Sequence, residues 1–352
     1  MDLSFYRGRR VLLTGHTGFK GAWLASWLES LGAEVCGYAL PPATQPNLFE
    51  TIALDRRIRS ELGDIRDGAA LRAAFREHRP ELVFHLAAQA LVSVSYQQPL
   101  ETFSTNVAGT ASVLDACLES DSVRAVVVVS SDKCYENQGW DRGYREEDPV
   151  GGYDPYSASK GCTELVASSY RRSFFAAAKR GLATARAGNV IGGGDWTAGR
   201  LVPDCLLALS RGEPVALRHP ESVRPWQHVL EPLSGYLSLG LRLDRDPAAY
   251  AQAWNFGPAP EDARPVREVV DLCYRAWGAQ PFWRLEPGRH PHEASILRLD
   301  CSKAQSKLDW RPRWRLPEAL THTVDWHKAF LARGDVVGLM RQQMQRHVDA
   351  HA

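Results

Sequence analysis

The chain has 352 residues, 44% hydrophobic and 24% charged, a composition typical of globular proteins that excludes a disordered or fibrous chain. Its 42 Lys and Arg residues are mixed with 41 Asp and Glu residues, so the net charge of +1 argues against a nucleic-acid or anionic-membrane surface. No apolar run approaches the ~20 residues of a membrane span, and the start of the sequence lacks the apolar region of a signal peptide.

Seven cysteines are scattered along the chain without a CxxC pair. An odd and scattered set predicts reduced thiols in the cytoplasm, and it argues against a disulfide frame or a structural zinc. His290, His292 and Glu293 lack the spacing of a zinc site and are assigned to a solvated loop, so no metal is expected.

The first predicted element is a strand at Arg9–Thr14, which leads into the glycine-rich turn GHTGFKG and then a helical pattern. This succession is the dinucleotide-binding fingerprint, because the glycines let backbone N–H groups approach a pyrophosphate at a helix N-terminus. The alternative is a glycine turn in an unrelated α/β domain. The residues expected to contact the dinucleotide here are Gly15, Thr17, Gly18, Phe19, Lys20 and Gly21.

The second predicted strand, Glu34–Leu40, lacks the acidic residue that usually holds the ribose hydroxyls of NAD. No arginine follows immediately to hold the 2′-phosphate of NADP. The choice between NAD and NADP is therefore left open by this strand.

Asp64 and Ile65 lie in the segment GDIRD, after a short predicted strand and before a predicted helix. Two roles for Asp64 are equally consistent with this position. It either accepts a hydrogen bond from the adenine amine of the cofactor or helps to cap the helix that follows.

A further strand is predicted at Pro80–Gln89. It ends in small residues that would let the cofactor lie close, and His85 inside it is interpreted as a core histidine. The next predicted helix surrounds Asn106. The cofactor contacts expected from this region are Leu86, Ala87, Ala88 and Asn106.

The stretch Ser130–Lys160 is where we expect the chemistry. The apolar run Arg124–Val129 is typical of a strand buried on both faces, and it ends in Ser130, Ser131 and Asp132. The ligand crevice of a parallel sheet lies at the carboxyl ends of its strands.

Tyr156 and Lys160 follow on a helix predicted from about residue 154 to residue 178. Their spacing places the phenol and the ammonium on one face, about one turn apart. Lowering the pKa of a tyrosine from ~10 to about 7 takes roughly 4 kcal/mol, which a nearby cation can supply. The alternative is a solvated tyrosine beside a surface lysine, and the context of the serine-rich strand end and the glycine turn argues against it.

Alternating strands and helices predict a Rossmann-like α/β fold with a doubly wound parallel sheet. Leu182–Val190 is predicted as its sixth strand, and beyond it the alternation fades. We assign residues 1–188 to the NAD-binding domain with the catalytic residues. Residues 189–340 are assigned mainly to a smaller, interleaved substrate-binding lobe.

Several segments together resemble the nucleotide-sugar 4,6-dehydratases of the extended short-chain dehydrogenase/reductase superfamily, over about residues 8–330. They are TGHTGFKG, GDIRD, HLAAQ, SDKCYEN, GGYDPYSASKG, RAGNVIGGGDW and RPWQHVLEPLSGYL. The resemblance is to the CDP-sugar branch. It implies an enzyme that uses tightly held NAD to convert CDP-glucose to CDP-4-keto-6-deoxyglucose with loss of water, for deoxysugars of surface polysaccharides. By the same analogy, a homodimer or homotetramer forms through the helices that hold Asn106 and Tyr156.

The resemblance also implies roles for residues. Tyr156, assisted by Lys160 and Ser131, would remove the proton of the sugar 4-hydroxyl, and Asp132 would protonate the departing 6-hydroxyl. Many related dehydratases carry a glutamate where this chain has Lys133. The base for the C5 proton is therefore open between Lys133, Glu136 and Tyr156, or Lys133 only holds Asp132 in place.

For the substrate, the resemblance places Asn189, Arg200 and Arg224 near the nucleotide diphosphate, where the planar fork of arginine meets two phosphate oxygens. Two other interpretations stand beside this one. The first is another sugar-nucleotide dehydratase or epimerase of the same superfamily, and the second is a non-catalytic NAD(P)-sensing or scaffold protein.

Overall fold

A computed structural model of the protein describes residues 2–288 and 296–350. His290, His292 and Glu293, which the sequence assigns to a loop, lie outside the described residues. Within the described ranges the chain forms twelve strands. In chain order they are β1 (Arg10–Thr14), β2 (Glu34–Ala39), β3 (Arg59–Leu62), β4 (Leu82–His85), β5 (Ala125–Val129), β6 (Gly181–Ala187), β7 (Asn189–Ile191), β8 (Val215–Leu217), β9 (Val223–His228), β10 (Ala253–Phe256), β11 (Ala263–Pro265) and β12 (Trp283–Leu285).

Helices connect most of these strands. In chain order they are α1 (Phe19–Ser30), α2 (Leu48–Thr51), α3 (Gly68–His78), α4 (Val92–Gln97), α5 (Pro99–Phe103), α6 (Gly109–Glu119), α7 (Pro155–Tyr170), α8 (Leu201–Arg211), α9 (Leu230–Arg245), α10 (Pro247–Tyr250), α11 (Val266–Trp277), α12 (Ser302–Lys307), α13 (Leu316–Leu331) and α14 (Val336–Asp349). A π-helical turn, Ser104–Ala108, joins α5 to α6, and a second, Arg171–Phe175, extends α7.

The central sheet has seven strands in the order β3-β2-β1-β4-β5-β6-β10, all paired in parallel. The chain reverses its direction of travel across the sheet between β1 and β4. In such sheets a ligand crevice opens at this switch point, outside the carboxyl ends of the strands. The predicted doubly wound, Rossmann-like sheet is confirmed.

The sheet is buried on both faces, which explains why β5 is a continuous run of apolar residues that are all buried. Alternate residues of β5 serve opposite faces. Val127 belongs to the apolar core shared with α1, α9 and α14, and Val126 and Val128 belong to the core shared with α3 and α6. The helix α7 lies on the second face, so α7 and α9 approach the end of β5 from opposite sides of the sheet.

Two elements differ from the predictions. The seventh strand, β10, was not predicted, because it comes from the region where the strand-helix alternation fades. It pairs with β6 from Thr184 to Ala187. The predicted strand Leu182–Val190 is divided at Gly188, where a Cβ atom would overlap the ring of Pro225. β6 therefore ends in the central sheet, and β7 pairs instead with β9.

The remaining strands form two small sheets, one with the order β11-β9-β7 and the other made of β12 and β8. A separate apolar core lies around them, with Trp226 of β9 and Cys205 of α8 among its buried residues. Since β10 belongs to the central sheet, chain from beyond residue 188 contributes to both parts. No helix in residues 2–288 and 296–350 has the length and apolar character needed to cross a bilayer.

Candidate active site

The glycine turn lies where β1 ends, directly beside the start of the segment after β4. Gly15 has a left-handed φ of +82°, and a Cβ there would lie 2.7 Å from the backbone nitrogen of Ala87. A Cβ at Gly21 would overlap the carbonyl oxygen of Gly15. Only glycine permits these close backbone approaches, which bring the start of α1 against the end of β1.

The N-terminus of α1 offers backbone N–H groups to an anion. Gly18 is the N-cap of α1 and has no side chain to bond the first turn. Thr17 joins the turn to the residue after β2, because its hydroxyl donates a hydrogen bond to the carbonyl of Leu40 at 2.8 Å. Uncapped N–H groups at a glycine turn are what a pyrophosphate needs, so the residues present fit a dinucleotide.

Lys20 reaches from the first turn of α1 toward the ends of the central strands. Its ammonium lies 5.8 Å from the ring centroid of Tyr236 on α9. The pKa of Lys20 is lowered to about 7, mainly by burial and also by the positive charges of Arg200 and Lys160, whereas Asp132 acts in the opposite direction. Lys20 therefore belongs to the same charged cluster as the residues that follow β5.

At the other end of the predicted cofactor site, Asp64 is tied to Arg66, whose guanidinium donates to both carboxylate oxygens at 2.6 to 3.0 Å. Hydrogen bonds from Arg66 lower the pKa of Asp64. The helix α3 is capped by Asp67, which accepts from the N–H groups of Ala69 and Ala70. The capping role considered for Asp64 is therefore wrong, and adenine binding stays a prediction. Ile65, between Asp64 and Arg66, is buried.

The end of β4 is held by polar side chains. His85 is buried, and its ring nitrogens lie 2.7 Å from the Thr14 hydroxyl and 3.0 Å from the Thr110 hydroxyl. The Thr14 hydroxyl also accepts hydrogen bonds from the N–H groups of Leu86 and Ala87, each at 3.2 Å. His85 is a core histidine, as predicted. Leu86, Ala87 and Ala88 are half-buried and follow β4, which lies between β1 and β5 in the sheet, and their contact with the cofactor stays a prediction.

Asn106 lies in the first π-helical turn and is 1% exposed. Its amide donates to the Gln89 carbonyl at 3.0 Å and to the Ser159 hydroxyl at 2.8 Å, and its oxygen accepts from the Gln89 N–H at 2.8 Å. Since Ser159 belongs to α7, Asn106 joins the segment after β4 to the helix of Tyr156. These contacts support a positioning role, which the sequence did not distinguish from cofactor contact.

Ser131 and Asp132 follow β5 and begin a short 3-10 turn. The Ser131 hydroxyl donates to Oδ1 of Asp132 at 2.9 Å and accepts from the N–H of Lys133 at 3.2 Å. Oδ2 of Asp132 is buried and has no hydrogen-bond partner among the described residues. Burial raises the pKa of Asp132, and the opposing effects of Lys133, the Ser131 hydrogen bond and Arg224 are smaller. A carboxyl group in this state retains its proton more readily than a solvated one.

Tyr156 and Lys160 lie on α7, whose N-cap Asp154 accepts a hydrogen bond from the N–H of Ser157 at 2.9 Å. Burial raises the pKa of Tyr156 to about 12, although the Ser131 hydroxyl and the Arg200 charge oppose this rise. The Lys160 ammonium donates to the Val129 carbonyl at 3.3 Å, and burial lowers its pKa to about 8.

The expected lowering of the Tyr156 pKa by Lys160 is therefore not found in the chain by itself. Two physical reasons account for the difference. The phenol is removed from water, and no hydrogen bond joins it to the Lys160 ammonium within the described ranges, because the ammonium points at the strand end.

A second buried carboxylate, Glu164, lies one helical turn after Lys160. Its Oε1 accepts from the Ser130 hydroxyl, and its Oε2 accepts from the Thr184 hydroxyl at 2.7 Å and from Arg186 at 2.8 Å. Burial alone would raise the pKa of Glu164, but the charge of Arg186 and these hydrogen bonds outweigh it and lower the pKa. The network fixes α7 to the ends of β5 and β6.

The two side chains considered as bases beside Tyr156 lie in different surroundings. Lys133 is half-buried, and its charge acts on the adjacent Asp132. Glu136 is exposed, and its Oε2 accepts a hydrogen bond from the N–H of Gly152 at 3.2 Å, in the loop before α7. This hydrogen bond of Glu136 thus stabilises the loop before α7.

Of the predicted substrate residues, two arginines face the residues after β5. Arg200 precedes α8 and forms an ion pair with Asp195 at 3.1 Å, and its charge acts on Tyr156. Arg224 is buried on β9, and its charge acts on Asp132. Asn189 begins β7 and pairs with Trp226 of β9, so it lies one strand away from Arg224. The fold thus brings these three residues to the same side as Ser131.

The sequence did not identify Tyr236, Glu164 and Arg186. Arg186 and Tyr236 lie inside segments that carry the family resemblance, but nothing in those segments points to a role for them, and Glu164 is one of several polar residues of α7. Tyr236 and Asp132 are far apart in the sequence, and only the packing of α9 against β5 and β6 brings them together.

The sequence profile of the GDP-mannose 4,6-dehydratase family matches residues 12–239. The chain is 50% identical over 355 residues to a protein named CDP-glucose 4,6-dehydratase from Salmonella typhimurium, with 99% of each chain covered. A solved structure of MoeE5 in complex with UDP-glucose and NAD shares 26% identity, with a TM-score of 0.77 over 91% of this chain and 99% of that one. UDP-glucose 4-epimerase from Thermotoga maritima, at 24% identity and a TM-score of 0.78, covers 91% of this chain and 99% of its own and shares the fold.

Proposed function

The chain belongs to the GDP-mannose 4,6-dehydratase family, within the extended short-chain dehydrogenase/reductase superfamily. From this premise we propose that it is an NAD-dependent CDP-glucose 4,6-dehydratase, a hydro-lyase that converts CDP-glucose to CDP-4-keto-6-deoxyglucose and water. The observation that carries the substrate is the 50% identity to a CDP-glucose 4,6-dehydratase over 99% of both chains. The other family members are distant by comparison, such as a UDP-glucose 4-epimerase at 28% identity.

The cofactor is NAD, which the related protein in complex with UDP-glucose also binds. The glycine turn, the uncapped start of α1 and the residues after β4 would hold it. When bound, NAD would supply a temporary acceptor for a hydride and the positive charge of its ring.

Tyr156 is proposed to remove the proton from the sugar 4-hydroxyl. In the chain alone the phenol stays protonated at neutral pH, because its pKa is about 12. Three groups of the chain favour the phenolate or hold it. The Ser131 hydroxyl and the charge of Arg200 both act to lower the pKa of Tyr156, and Lys160 carries a second cation on the same helix.

Asp132 is proposed as the acid that protonates the departing 6-hydroxyl. Its raised pKa favours the protonated form of the carboxyl group, and Oδ2 is the oxygen that has no hydrogen-bond partner among the described residues. The Ser131 hydroxyl orients the other oxygen, Oδ1. Oδ2 is therefore the oxygen left to transfer the proton.

For the C5 proton, we propose Lys133 as the base in preference to Glu136, because Glu136 is exposed and bonded to the loop before α7. Solvent deuterium incorporation at C5 shows whether a residue removes the C5 proton or only positions another group. We expect Lys133→Ala to lose the exchange and Glu136→Gln to keep it. Exchange retained in Lys133→Ala would assign the step to Tyr156 and leave Lys133 to hold Asp132.

The direct test of the function is incubation of the protein and NAD with CDP-, dTDP-, GDP- and UDP-hexoses, followed by mass analysis. We expect the loss of one water from CDP-glucose and much slower loss from the others. A product that keeps its 6-hydroxyl with inverted C4 would identify an epimerase instead. A protein that binds NAD but leaves all four sugars unchanged would support a sensor or scaffold.

Three further features belong to the proposal. We place the NAD-binding and catalytic part in residues 1–188 and most of the substrate-binding part in residues 189–340. We expect a homodimer or homotetramer, which sedimentation measurements would distinguish. We also propose that the enzyme works in the cytoplasm, in the supply of deoxysugars for surface polysaccharides, which fractionation of cells and analysis of their glycans would test.

A further inference from the structure

Tyr236 has an unusual environment for a buried tyrosine. Its side chain is fully buried on α9, and its hydroxyl has no hydrogen-bond partner among the described residues. Other buried tyrosines of the chain are bonded, such as Tyr6, whose hydroxyl donates to the carbonyl of Leu237 at 2.6 Å. A buried hydroxyl without a partner costs free energy, so its retention calls for another reason.

The surroundings of Tyr236 place it at the site. Its ring contacts Phe256 of β10 edge to face, with the centroids 5.8 Å apart, and the Lys20 ammonium lies 5.8 Å from its ring centroid. Burial raises the pKa of Tyr236, and the charges of Tyr156 and Asp132 raise it further, which requires both groups to be near. The hydroxyl therefore remains a proton donor at neutral pH.

Asp132 supplies the complementary group. Its Oδ2 is also buried and without a partner in the described part of the chain, and it is the oxygen left for proton transfer. Tyr236 lies against Phe256, the last residue of β10, and Asp132 follows the end of β5, so a phenol donor and a carboxyl group lie at the same edge of the sheet. Each has a polar atom without a hydrogen-bond partner among the described residues. One hydroxyl oxygen can accept from both of them at once.

We propose that Tyr236 is a further catalytic residue, which donates a hydrogen bond to the C6 oxygen of the hexose while Asp132 protonates that oxygen. The inference rests on the proposed dehydratase function. Tyr236 and Asp132 together hold the departing group from two sides. Tyr236 also accounts for a polar residue on an otherwise apolar face of α9, which packs on β5 and β6.

A base removes the C5 proton, its electron pair forms the C5–C6 double bond, and the C6–O bond breaks. The departing oxygen takes the proton of Asp132 and leaves as water, so Asp132 becomes a carboxylate. Tyr236 keeps its proton throughout and stabilises the negative charge that develops on the oxygen as the bond breaks.

The test compares Tyr236→Phe with the parent enzyme and with Tyr6→Phe, which loses a buried hydroxyl that is hydrogen-bonded to the backbone of α9. Single turnovers with CDP-glucose are quenched and reduced with borodeuteride, so that 4-keto hexose with and without its 6-hydroxyl can be counted by mass. We expect Tyr236→Phe to slow elimination roughly tenfold to a hundredfold and to accumulate the 4-keto hexose that retains its 6-hydroxyl. Tyr6→Phe should eliminate at the parental rate.

Two further measurements separate this role from a structural one. The melting temperature of Tyr236→Phe should equal or exceed that of the parent, because no hydrogen bond is lost, whereas that of Tyr6→Phe should fall. With CDP-6-deoxy-6-fluoroglucose the effect of Tyr236→Phe should shrink, because fluoride leaves without protonation.

Parental elimination by Tyr236→Phe would overturn the inference and leave the proposed function intact. A weaker affinity for NAD with unchanged elimination at saturation would also overturn it, since the hydroxyl would then bind the cofactor. Equal losses with the hydroxyl and the fluoro substrate, together with a lower melting temperature, would show a structural role. A parent enzyme that leaves CDP-glucose unchanged would overturn the proposed function and, with it, the inference.

Discussion

Two buried carboxyl groups lie near the end of β5, and their surroundings shift their pKa values in opposite directions. Glu164 has both oxygens paired, with Ser130 on one side and with Thr184 and Arg186 on the other, and its pKa is lowered. Asp132 has one oxygen paired with Ser131 and the other without a partner in the part of the chain that the structure describes, and burial raises its pKa. Both groups are at most 5% exposed, so burial alone does not explain the difference.

The difference lies in the partners of each group. The charge of Arg186 and three hydrogen bonds compensate Glu164 for the loss of water, whereas the contacts of Asp132 compensate it only in part. A fully paired buried carboxylate stabilises one packing of α7 against the sheet. A partly paired one binds a proton more readily and keeps an open oxygen, and both are useful in catalysis.

The largest effect is expected from Tyr156→Phe, which removes the proposed base that acts together with Asp132. Loss of the phenol should lower kcat by up to ~10⁴-fold, because the proton of the 4-hydroxyl then has no base. The melting temperature should stay close to that of the parent, since the ring remains in place. Steady-state assays with CDP-glucose and thermal unfolding measure both quantities. A turnover within about tenfold of the parent would show that another group is the base.

Glu164→Gln tests the carboxylate whose two oxygens are both paired. The amide leaves Arg186 buried without its counter-charge, which should cost roughly 3–5 kcal/mol of the free energy of unfolding. Urea unfolding measures this cost. Glu50→Gln, at an exposed position in α2, is the matched control and should unfold like the parent. An unchanged midpoint in Glu164→Gln would show that the ion pair contributes no net stability.

Asp132→Asn is the counterpart on the unpaired side. It should slow elimination by about 10²–10³-fold, because the amide cannot donate the proton, while oxidation at C4 continues. Borodeuteride trapping should reveal 4-keto hexose with its 6-hydroxyl. Folding should not be weakened, since a buried carboxyl group with an unpaired oxygen is removed. The two carboxyl groups would prove alike if Asp132→Asn lost as much stability as Glu164→Gln.

The smallest effect concerns pH and a third buried group, His85. Burial, with a smaller contribution from Lys160, lowers its pKa to about 3 from an ordinary value of 6.5. Between these values the unfolded chain binds a proton that the folded chain does not. The stability from neutral His85 is thus complete above about pH 6.5 and falls by about 1.4 kcal/mol per pH unit below it.

Urea unfolding at a series of pH values checks this prediction. The contribution of Glu164, by contrast, is lost only as the pH falls below 4.5, the ordinary pKa of a glutamate. His85→Gln should therefore flatten the loss between about pH 6.5 and about pH 4.5, and Glu164→Gln should leave that range unchanged. A parallel slope in His85→Gln and the parent would contradict the assignment.

Local patterns were enough to predict the first six strands, the glycine turn and the tyrosine helix. A strand buried on both faces must be apolar throughout, and β5 is. A turn packed against a neighbouring backbone requires glycine, and Gly15 occupies that position. The same reasoning could not find β10, because its four residues lie outside the alternation of strands and helices. It also extended one strand through Gly188, where close contact with Pro225 redirects the chain.

By itself, then, the sequence determined the doubly wound sheet, the dinucleotide turn and the candidate residues Ser131, Asp132, Tyr156 and Lys160, since each depends on neighbours within one strand, turn or helix. Only the tertiary structure decided how those groups are charged. The pKa of Tyr156 depends on its burial, that of Glu164 on Arg186 from β6, and the environment of Asp132 on Arg224 and Tyr236 from β9 and α9. Solvation and charge act through space, so residues distant in the sequence set the chemistry of the site.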